Sequence, residues 1–431
     1  MQNNLKDLTG KKLLIMGGAF LHRDLVIAAK RLGVETYVTD YLPLERAPAK
    51  QIADHAWNLN ITEYDALEER CRREHIDGVV NMYYNPCQRP VQVLCERLSL
   101  PCFGTREQYE IFTDKKLFLA TCAKYGVDII PQYRESDFAF DNPDIEYPVY
   151  IKPSDSRASR GQSICRSYAE VGPAIALARS ESTSGDIVIE RFMENAQDIQ
   201  LTLLLIDGKL HAEFIADKHD GNADEDLAGI VICGIAPSRY TDSVIANALP
   251  RIEHMLQAIG LKNAVVFLQA FVDGDKLRVY DPSLRFPATQ YELLVREAVG
   301  LDLHEAMVRF ALTGHFPDAL RGIDRLQSLE GTVGVLMFIY IRPGTIARVI
   351  GLDDVCRRED MLGIECLHAV GERLESWTHD YRQCIFSLML RSRDLEEAEK
   401  TIQDVYKTLH VLDENGDDMI IARFDTAKLR E

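Results

Sequence analysis

Apolar and polar residues in the first hundred positions fall into alternating strand-like and helix-like patterns. The apolar run Lys11–Gly18 ends in two glycines, which predicts a buried strand followed by a tight turn. The spacing then predicts a helix over 23–32, a strand over 35–39, a helix over 63–74 and a strand over 78–82. Strands and helices in this order predict a parallel, Rossmann-like sheet through about residue 104.

The pattern changes after Thr113. Hairpin signals at Asp207-Gly208 and Asp273-Gly274 separate alternating segments, which indicates antiparallel sheet. The predicted elements are a helix over 115–125, strands over 149–152, 187–190, 198–206, 265–272, 276–281, 334–341 and 345–350, and a helix over 395–409. The expected fold class is therefore α/β and α+β, with a Rossmann-like domain over 1–104, a two-subdomain centre over 105–325 and a small α+β domain over 326–431. Residues 126–192 are expected to form the smaller central subdomain, a lid.

Composition narrows the possible partners. The 431 residues contain 49 Lys and Arg against 67 Asp and Glu, for a formal net charge of −18. This balance argues against a sequence-independent nucleic-acid binder, and the longest apolar run, Gly334–Ile341, is too short to cross a membrane. The ten cysteines contain no Cys-x-x-Cys pair, so we expect reduced thiols, a cytoplasmic location and no zinc site.

A dinucleotide site is one interpretation of the first sheet, because Asp40 follows Gly17 by about 20 residues. The glycine turn lacks the G-x-G-x-x-G pattern, however, and a strand often ends in Asp in such sheets. We therefore expect the turn to shape a ligand pocket at the carboxyl ends of the strands.

Two central segments carry the residue types of a nucleotide site. Lys152 ends an apolar strand, and the following run, Ser154–Gly161, combines hydroxyls and arginines that suit phosphate oxygens. The strand over 187–190 leads into Phe192 and Met193, which are suited to the walls of an adenine slot. The alternatives are a solvated polar loop for the first segment and ordinary core packing for the second.

A third segment carries candidate metal ligands. Gln269 and Asp281 lie on two strands joined by a tight hairpin, so their side-chain oxygens can meet on one face and share a magnesium ion. Arg285 follows four positions later, where it can stabilise charge on a transferred phosphoryl group. A structural salt bridge is the alternative for a single Asp–Arg pair.

The order of these motifs resembles the ATP-grasp superfamily, including biotin carboxylase, the large subunit of carbamoyl phosphate synthetase and the amino-acid ligases. The motifs are Asp114-Lys115, Lys152-Pro153, Ser159–Gly161, Glu190–Met193 and Gln269…Asp281-x-Ser283-x-Arg285. The resemblance implies ATP with Mg²⁺ or Mn²⁺ as cofactors. It implies catalytic roles for Arg285 and Lys152, and metal positions at Gln269, Asp281 and Ser283. It implies ATP-binding roles for Lys115, Lys152, Ser159, Arg160, Gly161, Glu190, Arg191, Phe192, Met193, Asp198 and Lys218.

Departures from the family pattern leave alternatives open. Gln269 stands where many members have Glu, Asp281 replaces Glu, Ser283 replaces Asn, and the run Phe286–Gln290 lacks the Glu-His of biotin carboxylases. We expect an ATP-dependent ligase that activates an organic carboxylate, such as an amino acid, as an acyl phosphate and couples it to an amine. The alternatives are a non-catalytic ATP-binding protein and a bicarbonate-using carboxylase.

The substrates are expected to be small molecules, and a homodimer through the first domain is a family-level expectation. The substrate pocket is expected around Gly17–Arg23 and Tyr83–Gln88. Candidate substrate contacts are His22, Arg23, Arg89 and Arg239.

Overall fold

The strands in the described part of the chain form two four-stranded sheets, one eight-stranded sheet and two short strand pairs. The computed structural model describes residues 8–153, 161–182, 184–194, 196–221, 230–321, 329–378 and 381–430. Within these ranges, no helix has the length and apolar composition required to span a membrane.

The first sheet is parallel throughout, as the sequence predicts. Its strands are β1 (Lys12–Met16), β2 (Glu35–Thr39), β3 (His55–Trp57) and β4 (Gly78–Val80), in the order β3-β2-β1-β4. Its helices are α1 (His22–Arg31), α2 (Pro48–Ile52), α3 (Tyr64–Glu74) and α4 (Gln88–Leu98). The four apolar residues that end β1 are fully buried, because helices cover both faces of a parallel sheet. The edge strand β3 is too short to show in the hydrophobic pattern.

Two capped helices lead from this sheet into the centre of the molecule: α5 (Arg106–Thr113) and α6 (Lys115–Lys124). Thr105 and Gln108 form a capping box at the start of α5. The Asp114 carboxylate accepts the Leu117 backbone N–H at 3.0 Å and caps α6. These caps explain why α6 begins at Lys115, a predicted nucleotide contact.

The second four-stranded sheet is antiparallel and lies in the region predicted as the lid. Its strands are β5 (Gln132–Tyr133), β6 (Val149–Pro153), β7 (Ser163–Cys165) and β8 (Ile187–Arg191), in the order β5-β8-β6-β7. The helix α7 (Tyr168–Glu181) packs on this sheet through buried Val171, Ile175 and Ala178.

The eight-stranded sheet forms the centre of the molecule. Its strands are β9 (Gln197–Ile206), β10 (Lys209–Asp220), β11 (Val231–Ala236), β12 (Ala264–Asp273), β13 (Lys276–Ser283), β14 (Val333–Tyr340), β17 (Met361–Cys366) and β19 (Cys384–Ser392). Their order is β13-β12-β9-β10-β11-β14-β19-β17, and every neighbouring pair is antiparallel. The hairpin at Asp207-Gly208 is confirmed, and both residues have positive φ, as a primed turn requires.

The strands after residue 326 continue this central sheet, because β11 pairs with β14. The predicted single strand over 345–350 is wrong. It divides into β15 (Gly344–Thr345), which pairs with β18 (Arg373–Leu374), and β16 (Arg348–Ile350), which pairs with β20 (His410–Leu412). Strand pairing is interrupted between β15 and β16, so these two short strands pair with different partners.

The remaining described helices pack on the central sheet, except the helix Leu303–Thr313, which packs against β1, β4 and α1 of the first sheet. They are α8 (Thr241–Asn247), α9 (Leu249–Ala258), α10 (Tyr291–Val299), α11 (Leu303–Thr313), α12 (Leu352–Cys356) and α13 (Leu395–Thr408). Short 3₁₀ turns occur at Leu44–Arg46, Asn85–Cys87, Glu135–Phe138, Asp318–Leu320, Leu329–Gly331, Tyr381–Gln383 and Thr426–Arg430. The helix predicted over 395–409 is confirmed as α13, which begins after the capping carboxylate of Asp394.

Candidate active site

The lid sheet brings together the residues that the sequence assigns to the nucleotide. Strands β6 and β8 are neighbours, so the Lys152 ammonium donates a hydrogen bond to the Glu190 carboxylate. The Lys152 nitrogen also lies 5.0 Å from the centroid of the Tyr150 ring, and the Phe192 ring lies 5.9 Å from the same ring. A cation and two aromatic rings therefore meet where β8 ends.

Arg191 has a structural environment of its own. Its guanidinium lies 2.7 Å from the Asp273 carboxylate and 3.0 Å from Glu146. Since Asp273 lies on β12 of the central sheet, this ion pair joins the lid to that sheet. Met193 lies two residues past the end of β8 and is half-buried.

A second group of polar side chains lies where β9, β10, β12 and β13 adjoin. The Lys218 ammonium donates to Asp198 Oδ2 at 2.6 Å, to Gln269 Oε1 at 2.8 Å and to Tyr280 Oη at 3.0 Å. Gln269 Nε2 donates to Asp281 Oδ2 at 3.0 Å, because the two residues are register partners on β12 and β13. The predicted meeting of Gln269 and Asp281 on one face is therefore observed.

Burial shifts the pKa values of two ionisable side chains in this cluster, Asp198 and Tyr280. Desolvation raises the pKa of the Asp198 carboxyl, while the Lys218 ammonium opposes that rise. Desolvation and the Asp198 charge both raise the pKa of the Tyr280 phenol, so Tyr280 stays a hydrogen-bond donor near neutral pH. Asp198 is thus hydrogen-bonded by two neighbours, Lys218 and Tyr280, and its ATP-binding role stays a prediction.

Arg285 is held at the end of β13 by groups from the first domain. Its Nε donates to Asn85 Oδ1, and its Nη1 donates to the Phe286 carbonyl at 2.7 Å. Ser283 Oγ donates to the same Asn85 oxygen at 3.0 Å. Burial lowers the pKa of the Arg285 guanidinium to about 10, which still leaves it charged at neutral pH. Arg285 forms no ion pair with a carboxylate among the described residues, so its charge is available to a ligand.

Two cavities meet beside this arginine. The larger, here called the aromatic cavity, has a volume of about 440 Å³. It is lined by Tyr83, Tyr84, Asn85, Pro86, Gln200, Lys218, Val231, Gly234, Phe267, Gln269, Arg285, Pro287, Ala288, Thr289, Tyr291, Leu336, Phe338 and Tyr381. The smaller cavity, of about 330 Å³, is lined by Asn85, Pro86, Gln88, Phe112, Thr113, Lys115, Asp281 and Pro282. Asn85 and Pro86 belong to both, so the two cavities adjoin there.

The donor atoms suit a magnesium ion that is held mainly by a nucleotide. Magnesium prefers oxygen ligands, and it commonly takes one or two carboxylates together with phosphate oxygens and water. Asp281 supplies a carboxylate and Gln269 an amide oxygen, although that amide oxygen accepts a hydrogen bond from Lys218. Ser283 is fully buried and bonded to Asn85, so it does not supply a third ligand in this arrangement. No cluster of three His, Cys, Asp or Glu residues able to hold a metal occurs in the described ranges.

Comparison with known proteins identifies the central region. Residues 114–239 match the family model described as "Carbamoyl-phosphate synthase L chain, ATP binding domain". These residues are thus identified as an ATP-binding domain of the ATP-grasp type. The resemblance to the ATP-grasp ligases that the sequence motifs predict is therefore confirmed.

One relative and two solved structures are similar to most of this chain. The formate-dependent phosphoribosylglycinamide formyltransferase of Prochlorococcus marinus (strain NATL1A) is 25% identical over 318 residues, which cover 68% of this chain and 78% of that protein. The structure of phosphoribosylglycinamide synthetase from Anaerococcus prevotii is similar with a TM-score of 0.76 and 16% identity, over 94% of this chain and 100% of the other. The L-amino acid ligase from Bacillus licheniformis gives a TM-score of 0.74 and 16% identity, with the same coverage. At these identities the two structures establish the ATP-grasp fold.

The four candidate substrate contacts, three on the first domain and Arg239 in the turn after β11, each have another environment in the structure. His22 is fully buried, and desolvation lowers its pKa to about 4, so it is uncharged and does not reach a carboxylate in the cleft. Arg23 packs over the Phe20 ring, and Arg89 lies beside Glu110 on the surface. Arg239 Nε is 3.3 Å from Asp217 Oδ2. None of these four side chains lines the aromatic cavity or the smaller cavity.

Other predicted positions lie at the edges of the site. Lys115 lines the smaller cavity, and its ammonium is 5.9 Å from the Tyr280 ring centroid. Ser159 and Arg160 lie outside the described residues, whereas Gly161 adopts a left-handed turn conformation. The prediction that Tyr83–Gln88 contributes to the pocket agrees with four of its residues lining the aromatic cavity.

Three residues that shape this site have no individual role predicted from the sequence: Tyr280, Phe338, and Asn85, which is predicted only as part of the pocket segment Tyr83–Gln88. Asn85 and Tyr280 each bond to several candidate residues, and Phe338 lies on a strand that was assigned to a separate domain. Tyr280 directly precedes the candidate metal ligand Asp281, and this adjacency in the sequence indicates that Tyr280 lies near the site. Asn85 and Phe338 have no comparable signal, because only long-range folding brings them to the site.

Proposed function

We propose that this chain is a ligase that uses ATP to convert an organic carboxylate into an acyl phosphate and then transfers the acyl group to an amine. The observation that carries this proposal is the Arg285 charge, which has no carboxylate ion-pair partner among the described residues and lies beside the point where the two cavities adjoin. A fixed guanidinium binds a carboxylate through two parallel hydrogen bonds, and the same group stabilises negative charge on a reacting acyl oxygen.

The nucleotide would lie between the lid sheet and the central sheet. The Lys152 ammonium would exchange Glu190 for phosphate oxygens, and Lys115 would add a second positive charge from the smaller cavity. The apolar faces of Phe192 and Met193 would contact adenine. Each assignment rests on a match between the side chain and the part of the nucleotide that it would contact: positive charge for the phosphates and apolar surface for adenine.

Magnesium would be held by Asp281 and by the nucleotide phosphates, with Gln269 as a second oxygen ligand once Lys218 releases it. When bound, such an ion neutralises charge on the phosphates of the nucleotide. The amide at Gln269 supplies no negative charge, so Asp281 provides the anionic part of the protein site.

The reaction would proceed by two displacements. A carboxylate oxygen of the substrate attacks the γ-phosphorus, and the bond from phosphorus to the bridging oxygen of ADP breaks. The amine nitrogen then attacks the acyl carbon, phosphate leaves, and the amine loses a proton as the amide forms. Arg285 orients the carboxylate in the first step and faces the oxyanion in the second.

A second candidate, nucleotide binding without catalysis, is favoured by one specific contact. The Lys218 ammonium is bonded to Gln269 Oε1, the atom that would otherwise face a metal ion. A bicarbonate-using reaction is a third candidate within the same superfamily. ADP release with bicarbonate as the only carboxylate would favour the bicarbonate-using reaction. Absence of ADP release with any carboxylate would favour nucleotide binding without catalysis.

The test measures ADP and phosphate release with Mg-ATP and pools of carboxylates, including formate, amino acids and bicarbonate, with and without amines. We expect release that depends on an organic carboxylate and falls by about 100-fold in Lys152→Ala and Arg285→Lys, as removal of one charge-stabilising group commonly does.

The matched controls are Lys276→Ala, at an exposed position, and Arg251→Lys, which keeps the charge of a half-buried side chain; neither residue lines either cavity. Both should retain full activity. ATP binding without ADP release from any pool would instead support the non-catalytic candidate, and release driven by bicarbonate alone would support the carboxylase candidate.

A further inference from the structure

The walls of the aromatic cavity are apolar over most of their extent. Leu336 and Phe338 lie on β14 at positions two residues apart, so both face the same side of the central sheet. The Phe338 and Tyr381 ring centroids are 5.6 Å apart at an angle of 89°, an edge-to-face contact that fixes both rings. This part of the wall is therefore a rigid, preformed apolar surface.

Two of the tyrosines, Tyr83 and Tyr381, contribute their rings to this wall, because their hydroxyls bond to residues outside the cavity. Tyr381 Oη donates to the buried Glu365 carboxylate at 2.8 Å. Tyr83 Oη donates to Glu292 Oε1 at 2.6 Å and also contacts His304. A ligand in the cavity meets aromatic carbon at these positions rather than free hydroxyl groups.

Charge in the cavity is confined to the end that adjoins the smaller cavity. The described residues that line it include two cations, Lys218 and Arg285, and no carboxylate. Lys218 is paired with Asp198, whereas Arg285 has no acidic partner in the described part of the chain. Such a cavity matches a ligand that has one anionic group at one end and an apolar body at the other.

The size of the cavity excludes the smallest carboxylates as a good fit. A volume of about 440 Å³ lies in the range of pockets that enclose drug-sized ligands. Formate or acetate would contact Arg285 but leave Phe338 and Leu336 without a partner, so the dispersion contacts of those side chains would be lost. A bulky apolar substituent would recover these contacts.

We propose that the carboxylate substrate is an acid with a bulky apolar or aromatic side chain, bound with its carboxylate at Arg285 and its side chain against Leu336, Phe338 and Tyr381. This inference rests on the proposed function, since it names the substrate of that same site. The amine substrate then approaches the acyl carbon after phosphoryl transfer, and its identity does not affect the test described next.

Hydroxylamine serves as the amine in that test, because it converts any acyl phosphate into a hydroxamate with release of phosphate. The protein is incubated with Mg-ATP, hydroxylamine and one acid at a time from a series of formate, acetate, aspartate, leucine, phenylalanine and 3-phenylpropionate. We expect hydroxamate and ADP from the bulky apolar acids, with kcat/KM at least about 10-fold above that for acetate, as one or more buried methylene groups produce in apolar pockets.

Variants of β14 test the wall directly. Phe338→Ala should lower kcat/KM for the preferred bulky acid by about 10- to 100-fold, mainly through KM, and leave the value for acetate unchanged. Phe338→Leu, which disturbs packing less, should lower it by a smaller factor in the same direction. Met337→Ala is the matched control, because Met337 is fully buried on the opposite face of the same strand and does not line the cavity.

The possible failures are distinguishable. Preference for formate, acetate or aspartate, or an unchanged ratio between bulky and small acids in both Phe338 variants, would overturn the substrate class but keep the ligase. Stimulation by the bulky compounds only as amine acceptors, without hydroxamate, would also overturn it. Absence of ADP release with every acid would defeat the proposed function and this inference with it.

Discussion

Asn85 shows how a single side chain assembles the reactive end of this site. Its Oδ1 accepts hydrogen bonds from Ser283 Oγ at 3.0 Å, from Gln88 Nε2 at 3.1 Å and from Arg285 Nε. Three donors on one amide oxygen fix the position of the arginine relative to the first domain. Because the Arg285 side chain is already held in place, its remaining N–H groups can bind a carboxylate with little further loss of side-chain entropy.

His22 has a different role at the residue scale, because its buried ring makes folding depend on pH. Burial lowers its pKa to about 4, whereas an unfolded histidine titrates near 6.5. Between these values the unfolded chain binds a proton that the folded chain does not. His22 therefore destabilises the folded state progressively as the pH falls from about 6.5 towards 4, and has no such effect above 6.5.

We predict that His22→Phe makes the fall in stability with decreasing pH shallower by up to about 1.4 kcal/mol per pH unit in this window. Denaturant unfolding of the variant and of the unchanged protein at pH 7.5, 6 and 5 measures the difference. Because the same carboxylates are present in both proteins, their titration cancels. Parallel curves would contradict the assignment of a neutral buried His22.

At the scale of single elements, the sequence predicts most strands and helices because their signals are local. The alternation over 265–281 and the cap at Asp114 are complete within a few residues. The joining of β14 to β11, which places Phe338 in the cavity, depends on pairing between segments about a hundred residues apart. Likewise, Asn85 and Arg285 are 200 positions apart. Pairing over such distances leaves no periodic signal in the sequence.

Gly351, between β16 and α12, gives a prediction at this scale. Its φ is +78°, and a Cβ there would lie 2.0 Å from the carbonyl oxygen of Thr408 at the end of α13. Gly416 has a similar φ of +88°, but a Cβ there would have no neighbour within 4 Å. The two positions share the backbone penalty and differ in the steric clash.

Gly351→Ala should therefore destabilise the protein by about 1–3 kcal/mol more than Gly416→Ala, the usual cost of overpacking. The Gly416 variant should lose about 1 kcal/mol through the left-handed backbone alone. Thermal and denaturant unfolding of both variants provide the comparison. Equal destabilisation would mean that α13 moves away from Gly351 at no cost.

At the scale of the whole molecule, the first domain is joined to the rest through a shared core. The largest hydrophobic cluster includes residues of β1 and α1 together with residues of α10, α11 and the central sheet. Polar groups cross the same boundary, since Tyr83 Oη bonds to Glu292 and His304, and Arg31 bonds to Asp302. We therefore expect the first domain and the central sheet to unfold together.

The two tryptophans allow this expectation to be tested. Trp57 is buried in the first sheet, so in a Trp377→Phe background its fluorescence reports that sheet alone. The fluorescence transition should coincide with the far-ultraviolet circular dichroism of the whole chain. Tyr83→Phe, which leaves Glu292 and His304 without their shared partner, should lower both midpoints together, with a loss of about 1–3 kcal/mol. Tyr41→Phe, at an exposed position, should change neither. An earlier transition of Trp57 alone would mean that the first domain unfolds independently, and Arg285 would then lose Asn85 before the central sheet melts.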